Sequence, residues 1–129
     1  MNQMNQIMVS IPMPTVALGS PGAEYSLWAL PFKGRFLSAR LVPSAALTAH
    51  DTNYATLTIA IDGTAVAAVS TTTTGTGNLV KGTDIAITTT GTGATLEASE
   101  KSVLSFAKTE GGSGIAFSGT AVLLFEAMS

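Results

Sequence analysis

Between residues 54 and 71, apolar side chains recur at every second position on either side of an Asp-Gly pair. Leu57, Ile59 and Ile61 alternate with Thr56, Thr58 and Ala60 ahead of Asp62-Gly63, and Thr64, Val66 and Ala68 follow it. A period of two belongs to a half-buried strand, because successive side chains point to opposite faces. Asp-Gly between two such runs predicts a two-residue hairpin, since a type I′ turn needs positive φ at both central positions. That turn sets Ile61 opposite Thr64, Ile59 opposite Val66 and Leu57 opposite Ala68, all on one face. The opposite face then holds Thr56, Thr58, Ala60, Ala65, Ala67 and Val69, small or β-branched residues suited to packing against another surface. No long stretch of the chain shows a 3.6-residue apolar repeat, so helices do not form the framework.

The rest of the chain repeats this pattern at short intervals. Residues 24–30 carry Tyr25 and Trp28 and stop at Pro31; residues 35–42 carry Phe36, Leu37 and Leu41 and stop at Pro43. Proline ends such runs because it cannot donate to a ladder. Ile85 and Ile87 mark a strand over 84–90, and Leu104 and Phe106 another over 102–108. In the last run Ile115, Phe117, Gly119, Ala121, Leu123 and Phe125 share a face. Val122 and Leu124 on its other side predict burial from both faces. The sequence Thr-Thr-Thr-Gly-Thr-Gly occurs at 72–77 and again at 88–93, predicting two similar strand-end loops. At 129 residues the chain suits a single core. Short strands separated by turn signals predict an all-β fold, an antiparallel β-sandwich. A jelly roll is the preferred topology, with a general Greek-key sandwich as the alternative.

Residues 1–22 read differently, as an extended N-terminal arm preceding a β-sandwich domain over 23–129. Pro12 and Pro14 flank Met13 and favour extended backbone. Ile7, Met8, Val9, Ile11, Val16 and Leu18 would be costly to leave in water. An apolar arm without a helical pattern reads either as a disordered terminus or as an arm docked on a neighbouring subunit; the second is preferred, with Ile7, Met8, Ile11 and Met13 as the partner-contact residues.

The chemistry-bearing residues are few. There is no cysteine and one histidine, His50, which removes thiolate and His-based metal sites and most nucleophilic arrangements. His50-Asp51 are adjacent and point to opposite faces of any strand; with Thr52 and Asn53 they read as a turn before Tyr54. Ser105 and Lys108 have a serine-x-x-lysine spacing that works on a helix but separates the two on a strand. Gly75-Thr76-Gly77, Gly91-Thr92-Gly93 and Lys81-Gly82-Thr83 lack the order of nucleotide-binding loops. Gly111-Gly112-Ser113-Gly114 resembles the start of a calcium nonapeptide, but Ile115 and Ala116 stand where aspartate is needed. No enzyme activity, cofactor or metal is therefore expected. The net charge of −2 disfavours a nucleic-acid partner. No membrane partner is expected, because prolines, amides and the threonine-rich run over 63–80 break any spanning segment, and no basic, then apolar, leader opens the chain. Charged residues are 11% of the chain, far below the usual quarter. A surface so poor in charge implies cover by other copies or a larger lattice.

One stretch carries a likeness. Leu47-Thr48-Ala49-His50-Asp51-Thr52-Asn53-Tyr54-Ala55-Thr56-Leu57-Thr58-Ile59, followed by Gly77-Asn78-Leu79-Val80-Lys81-Gly82-Thr83 and the run from Leu104 through Lys108 to Gly114, resembles small virion structural proteins of tailed bacteriophages. The likeness spans about residues 47–117 and leaves out residues 1–46. It implies a non-enzymatic jelly-roll or sandwich module, made in the host cytoplasm and carried on the capsid exterior. A capsid cement or decoration protein of this kind is a homo-oligomer, commonly a trimer, that clamps the major capsid protein and stabilises the head. The alternative it implies is a head- or tail-fibre module binding a host surface glycan or receptor, through an exposed aromatic near Tyr25, Trp28 or Tyr54.

Overall fold

A computed structural model describes residues 6–16, 23–73, 75, 77–112 and 117–128. Within them lie β1 (Gln6–Val16), β2 (Ala23–Ala29), β3 (Gly34–Pro43), β4 (Tyr54–Ile61), β5 (Thr64–Ser70), β6 (Ile85–Thr89), β7 (Glu97–Ala98), β8 (Val103–Gly111) and β9 (Phe117–Ala127). A 3₁₀ turn, Gly93–Leu96, precedes β7. The fold is all-β. Every strand pair is antiparallel, in one curled sheet of order β1-β9-β3-β6-β5-β4-β8-β2, with β7 added beside the start of β3. The pairing is nested. β4 pairs β5, β3 pairs β6, β2 pairs β8 and β1 pairs β9, so the chain runs as one long hairpin folded over on itself. The outermost strands β1 and β2 approach one another, so the sheet curls into a sandwich around one core.

That core follows the period-two pattern. Leu57, Ile59 and Ile61 of β4, Leu104 and Phe106 of β8, Leu41 of β3 and Ala121, Leu123 and Phe125 of β9 are buried together. Phe125 is fully buried and receives two aromatic neighbours edge-on, Phe32 at 5.8 Å and Phe36 at 5.9 Å between ring centres. Edge-to-face contact sets the positive rim of one ring against the negative face of another and adds to the area term.

The hairpin turn forms as its sequence predicts, with φ of 51° at Asp62 and 85° at Gly63, and Ile61 lies opposite Thr64. The register beyond it differs from the expected one. A bulge falls between Ile59 and Ala60, so Ile59 pairs with Ala67 and Leu57 with Val69, in place of Val66 and Ala68. Val66 is the extra residue, and Val66 and Ala67 are both buried. The Val66 carbonyl accepts N–H groups from Thr90 at 2.9 Å and Gly91 at 3.2 Å. The bulge thus bends β5 toward β6, where the two halves of the sheet join. Burial of the face with Ala67 and Val69, rather than Ala68, is its consequence. β3 has a similar shift between Phe36 and Ser38, which lets Phe36 and Ala39 both turn inward.

The amino-terminal segment also differs from a separate arm. Residues 6–16 are extended, but they pair with the chain's own β9, from Gln6 opposite Glu126 to Val16 opposite Phe117. Ile11 sits in the same core as the rest of the sheet. The physical reason is the alternation of Ile7, Val9 and Ile11, which supplies β9 with a half-buried neighbour; an edge position tolerates the prolines. The remainder of the 1–22 arm, residues 1–5 and 17–22, lies outside the described residues.

Candidate functional site

The face of β1, β9 and β3 turned away from the core carries a strip of apolar side chains among polar ones. Cross-strand register places Met8, Leu124 and Ser38 in one row, Ser10, Val122 and Arg40 in the next, and Pro12, Thr120 and Val42 in a third. Met8 is 68% exposed, and Val122, Leu124, Leu37 and Val42 are half-buried. Arg40 stands within the second row, and Gln6, Glu126 and Arg35 form a polar row beyond Met8. Arg35 pairs with Glu97 at 3.5 Å, and Arg40 with Asp84. Both pairs are solvent-exposed, where such contacts contribute under about 1 kcal/mol. Their effect here is to neutralise the cations of β3 beside an apolar strip. Such a strip gains about 25 cal/mol for each Å² it removes from water against another surface.

The structure divides the four residues predicted to meet a partner. Met8 stands outward. Ile7 is half-buried and Ile11 is 8% exposed within the chain's own core. Strand alternation imposes that split, since odd positions of β1 face inward and even positions outward. The Met13 side chain lies outside the described residues. The outward position of Leu37 and Val42 is not legible in the sequence, and that of Val122 and Leu124 is legible only as a face. For Leu37 no pattern shows it, because the β3 bulge decides its direction. For Val122 and Leu124 the alternation gave the correct face, but the structure leaves them partly open to solvent and not fully enclosed.

The remaining polar candidates are built into loops. His50 Nδ1 accepts the N–H groups of Thr52 at 3.0 Å and Asn53 at 2.8 Å. Asp51 accepts the N–H of Thr73 at 2.8 Å and its hydroxyl at 2.7 Å. These two hydrogen bonds, the hydroxyl foremost, hold the Asp51 carboxyl below the usual carboxylate range, with a smaller contribution from His50. The pair therefore fastens the loop entering β4 to the one leaving β5. The two Thr-rich loops take different forms: the first folds back through Gly75 and Gly77 N–H groups onto the Thr72 carbonyl, and in the second Thr92 starts the 3₁₀ turn. Ser105 lies opposite Ala60 and Lys108 opposite Leu57, on opposite faces of β8. Tyr54 is half-buried at the start of β4, and the Tyr25 and Trp28 side chains lie outside the described residues. Among the described residues, no three His, Asp or Glu side chains gather where an ion could be held, and no helix is long and apolar enough to cross a membrane. No protein-family model matches the chain, and no match is found among curated proteins or solved structures.

Proposed function

We propose that this protein is a non-enzymatic virion structural protein, a capsid cement or decoration protein that binds the major capsid protein on the outer head surface. The observation that carries this reading is the apolar outer face of β1, β9 and β3, on which Met8 is 68% exposed beside Val122 and Leu124. A chain with 11% charged residues and an exposed strip of this kind is suited to being covered in an assembly. The nested pairing of β1 with β9, β2 with β8, β3 with β6 and β4 with β5 supports a jelly-roll reading of the sandwich, an architecture found in viral capsid proteins. The likeness of residues 47–117 to small phage virion proteins points the same way. The mechanism is burial: the outer strip covers apolar surface at the joints between capsid subunits and raises the work needed to separate them.

The test is cryo-electron microscopy of the particle whose genome encodes this chain, with binding of the purified protein to particles stripped of it. The expected result is density for this sandwich on the outer head surface, its β1-β9-β3 face against the major capsid protein. Val122→Lys together with Leu124→Lys should abolish rebinding while the domain stays folded, and neither lies on the open edge of β1. Density confined to the tail, or rebinding unchanged by the two lysines, overturns the reading.

A further inference from the structure

Among the described residues, β1 pairs with β9 alone; β2 approaches it but forms no ladder with it, so one side of the β1 backbone is unpaired, and β9 reveals which groups face that side. The Ser118 carbonyl accepts the Ser44 N–H at 3.0 Å just past the end of β3, and the Met128 N–H donates to the Lys33 carbonyl at 2.8 Å just before its start. Even-numbered residues at both ends of β9 therefore turn their polar groups toward β3. Alternation turns its odd-numbered residues toward β1. The register matches odd with odd: Ile7 with Phe125, Val9 with Leu123 and Ile11 with Ala121. Ile7, Val9 and Ile11 thus commit their N–H and C=O groups to β9, while Gln6, Met8 and Ser10 present theirs to the open side. Pro12 has the same parity as these three. Its ring nitrogen, which cannot donate, falls where the sheet needs no donor.

Sheet edges are normally guarded by charge, proline or a bulge. The second half of β1 has two of these guards, Pro12 and the register shift between Met13 and Val16. Residues 6–11 have neither charge, nor proline, nor bulge. They are rich in β-formers, and Met8 stands exposed within them.

We propose that the first half of β1 is a self-association site, where the strand pairs antiparallel with the same strand of a second copy about a two-fold axis. The chemistry selects the occupant. An open row of alternating donors and acceptors takes an extended backbone. An uncharged strand that meets its own image across a two-fold axis is antiparallel to it and finds matching spacing. Pairing centred on Met8 sets Gln6 opposite the partner's Ser10, Met8 opposite the partner's Met8 and Ser10 opposite the partner's Gln6. Each of these pairs exchanges two hydrogen bonds, about six in all. Pro12 then ends the donor row. The two Met8 side chains meet on the axis and carry the apolar row through Leu124 into the second subunit. The arrangement is two-fold, unlike the threefold assembly implied by the likeness to phage proteins, and it stands independently of any capsid.

The test is the mass of the full chain in solution, by sedimentation or light scattering over a range of concentrations. The wild-type chain is expected at twice its 13.1 kDa. Ser10→Pro removes an open-side N–H and leaves every bond to β9, so it should keep the circular dichroism spectrum and sediment as one copy. Val9→Pro removes a bond to β9 and should lose the folded spectrum. Met8→Lys, which needs no backbone change, sets like charges together on the axis and should weaken association about tenfold or more. A wild-type chain that stays a single copy at high concentration overturns the proposal. So does an oligomer unchanged in mass by Ser10→Pro and Met8→Lys when both are folded. A dimer that fails to bind particles leaves this site standing and removes only the capsid reading.

Discussion

Asp62 and Val103 bond to one another twice: the Val103 N–H donates to Asp62 Oδ1 at 2.8 Å, and the Asp62 N–H donates to the Val103 carbonyl at 2.9 Å. The tip of the β4–β5 hairpin is thereby latched to the start of β8, extending the pairing of Ile61 with Leu104 by one step. One residue serves both the turn, through its positive φ, and the sheet, through its side chain.

That latch makes stability depend on acid. The Val103 N–H, followed by the Ser102 side chain, holds the Asp62 carboxyl below the usual carboxylate range, as Thr73 does for Asp51. Both groups therefore favour the folded state when ionised. Their contribution is complete above the unfolded-state value, about 3.9, and is lost as pH falls through the lower folded-state value. Scanning calorimetry should show Tm falling below about pH 4. The double variant Asp51→Asn, Asp62→Asn should start from a lower Tm near neutral pH and fall less steeply in acid. An acid decline as steep as that of the wild type would show that neither carboxylate is linked to folding.

Two glycines separate backbone strain from steric clash. Gly63 has φ +85°, and a Cβ added there would meet nothing within 4 Å. Gly63→Ala should cost only the left-handed backbone penalty, about 1–2 kcal/mol. Gly112 has φ +58°, and its added Cβ would run into Asn53 Oδ1 and lie 2.6 Å from the Thr52 carbonyl. The Asn53 side chain can move, but the Thr52 backbone is part of the loop fastened by Asp51. Gly112→Ala should therefore cost more than Gly63→Ala, by about 1 kcal/mol or more. Urea titration of the two variants decides the matter, and equal midpoints would show that the loop yields freely.

Phe125 offers a check on where the core is centred. It is fully buried on β9, between β1 and β3, and meets both Phe32 and Phe36 edge-on. Phe125→Ala removes the shared partner of those rings and leaves a cavity that strands on either side cannot close. Denaturant unfolding should register a loss of about 3–5 kcal/mol. A loss below about 1 kcal/mol would mean that the core collapses to fill the space.

The sequence pattern made the all-β class legible because each strand carries its own alternation and each turn its own residue chemistry. Asp62-Gly63 predicted its turn from backbone sterics alone, which are local. The register of β5 was not legible, because the Val66 bulge is imposed by Thr90 and Gly91, residues far along the chain. The place of β1 was hidden for the same reason: Ile7, Val9 and Ile11 alternate, but only pairing with β9 shows that the alternation serves the chain's own core. The buried position of Lys108 follows from the series Leu104, Phe106, Lys108 on one face of β8. Its charge masks it in any reading that assigns lysine to solvent. The apolar outer face was half legible, in Val122 and Leu124, while Leu37 depends on a second bulge.

Two buried hydroxyls should respond to removal with opposite signs. Thr71, fully buried just past β5, accepts the Ala55 N–H on its Oγ1 at 3.0 Å, and its own N–H donates to the Ala55 carbonyl at 3.0 Å. Its side chain thus completes the β4–β5 ladder where the strand pairing stops. Thr71→Val keeps the shape but strands the Ala55 N–H, at a cost of about 1–3 kcal/mol. Ser105 is 3% exposed, and its Oγ has no hydrogen-bond partner among the described residues. That hydroxyl has given up water without compensation, so Ser105→Ala should be neutral or stabilising by up to about 1 kcal/mol. The pair is measured by urea unfolding under one set of conditions. A loss on Ser105→Ala comparable to that on Thr71→Val would mean that the serine hydroxyl is satisfied in solution, for which a bridging water is the physical route.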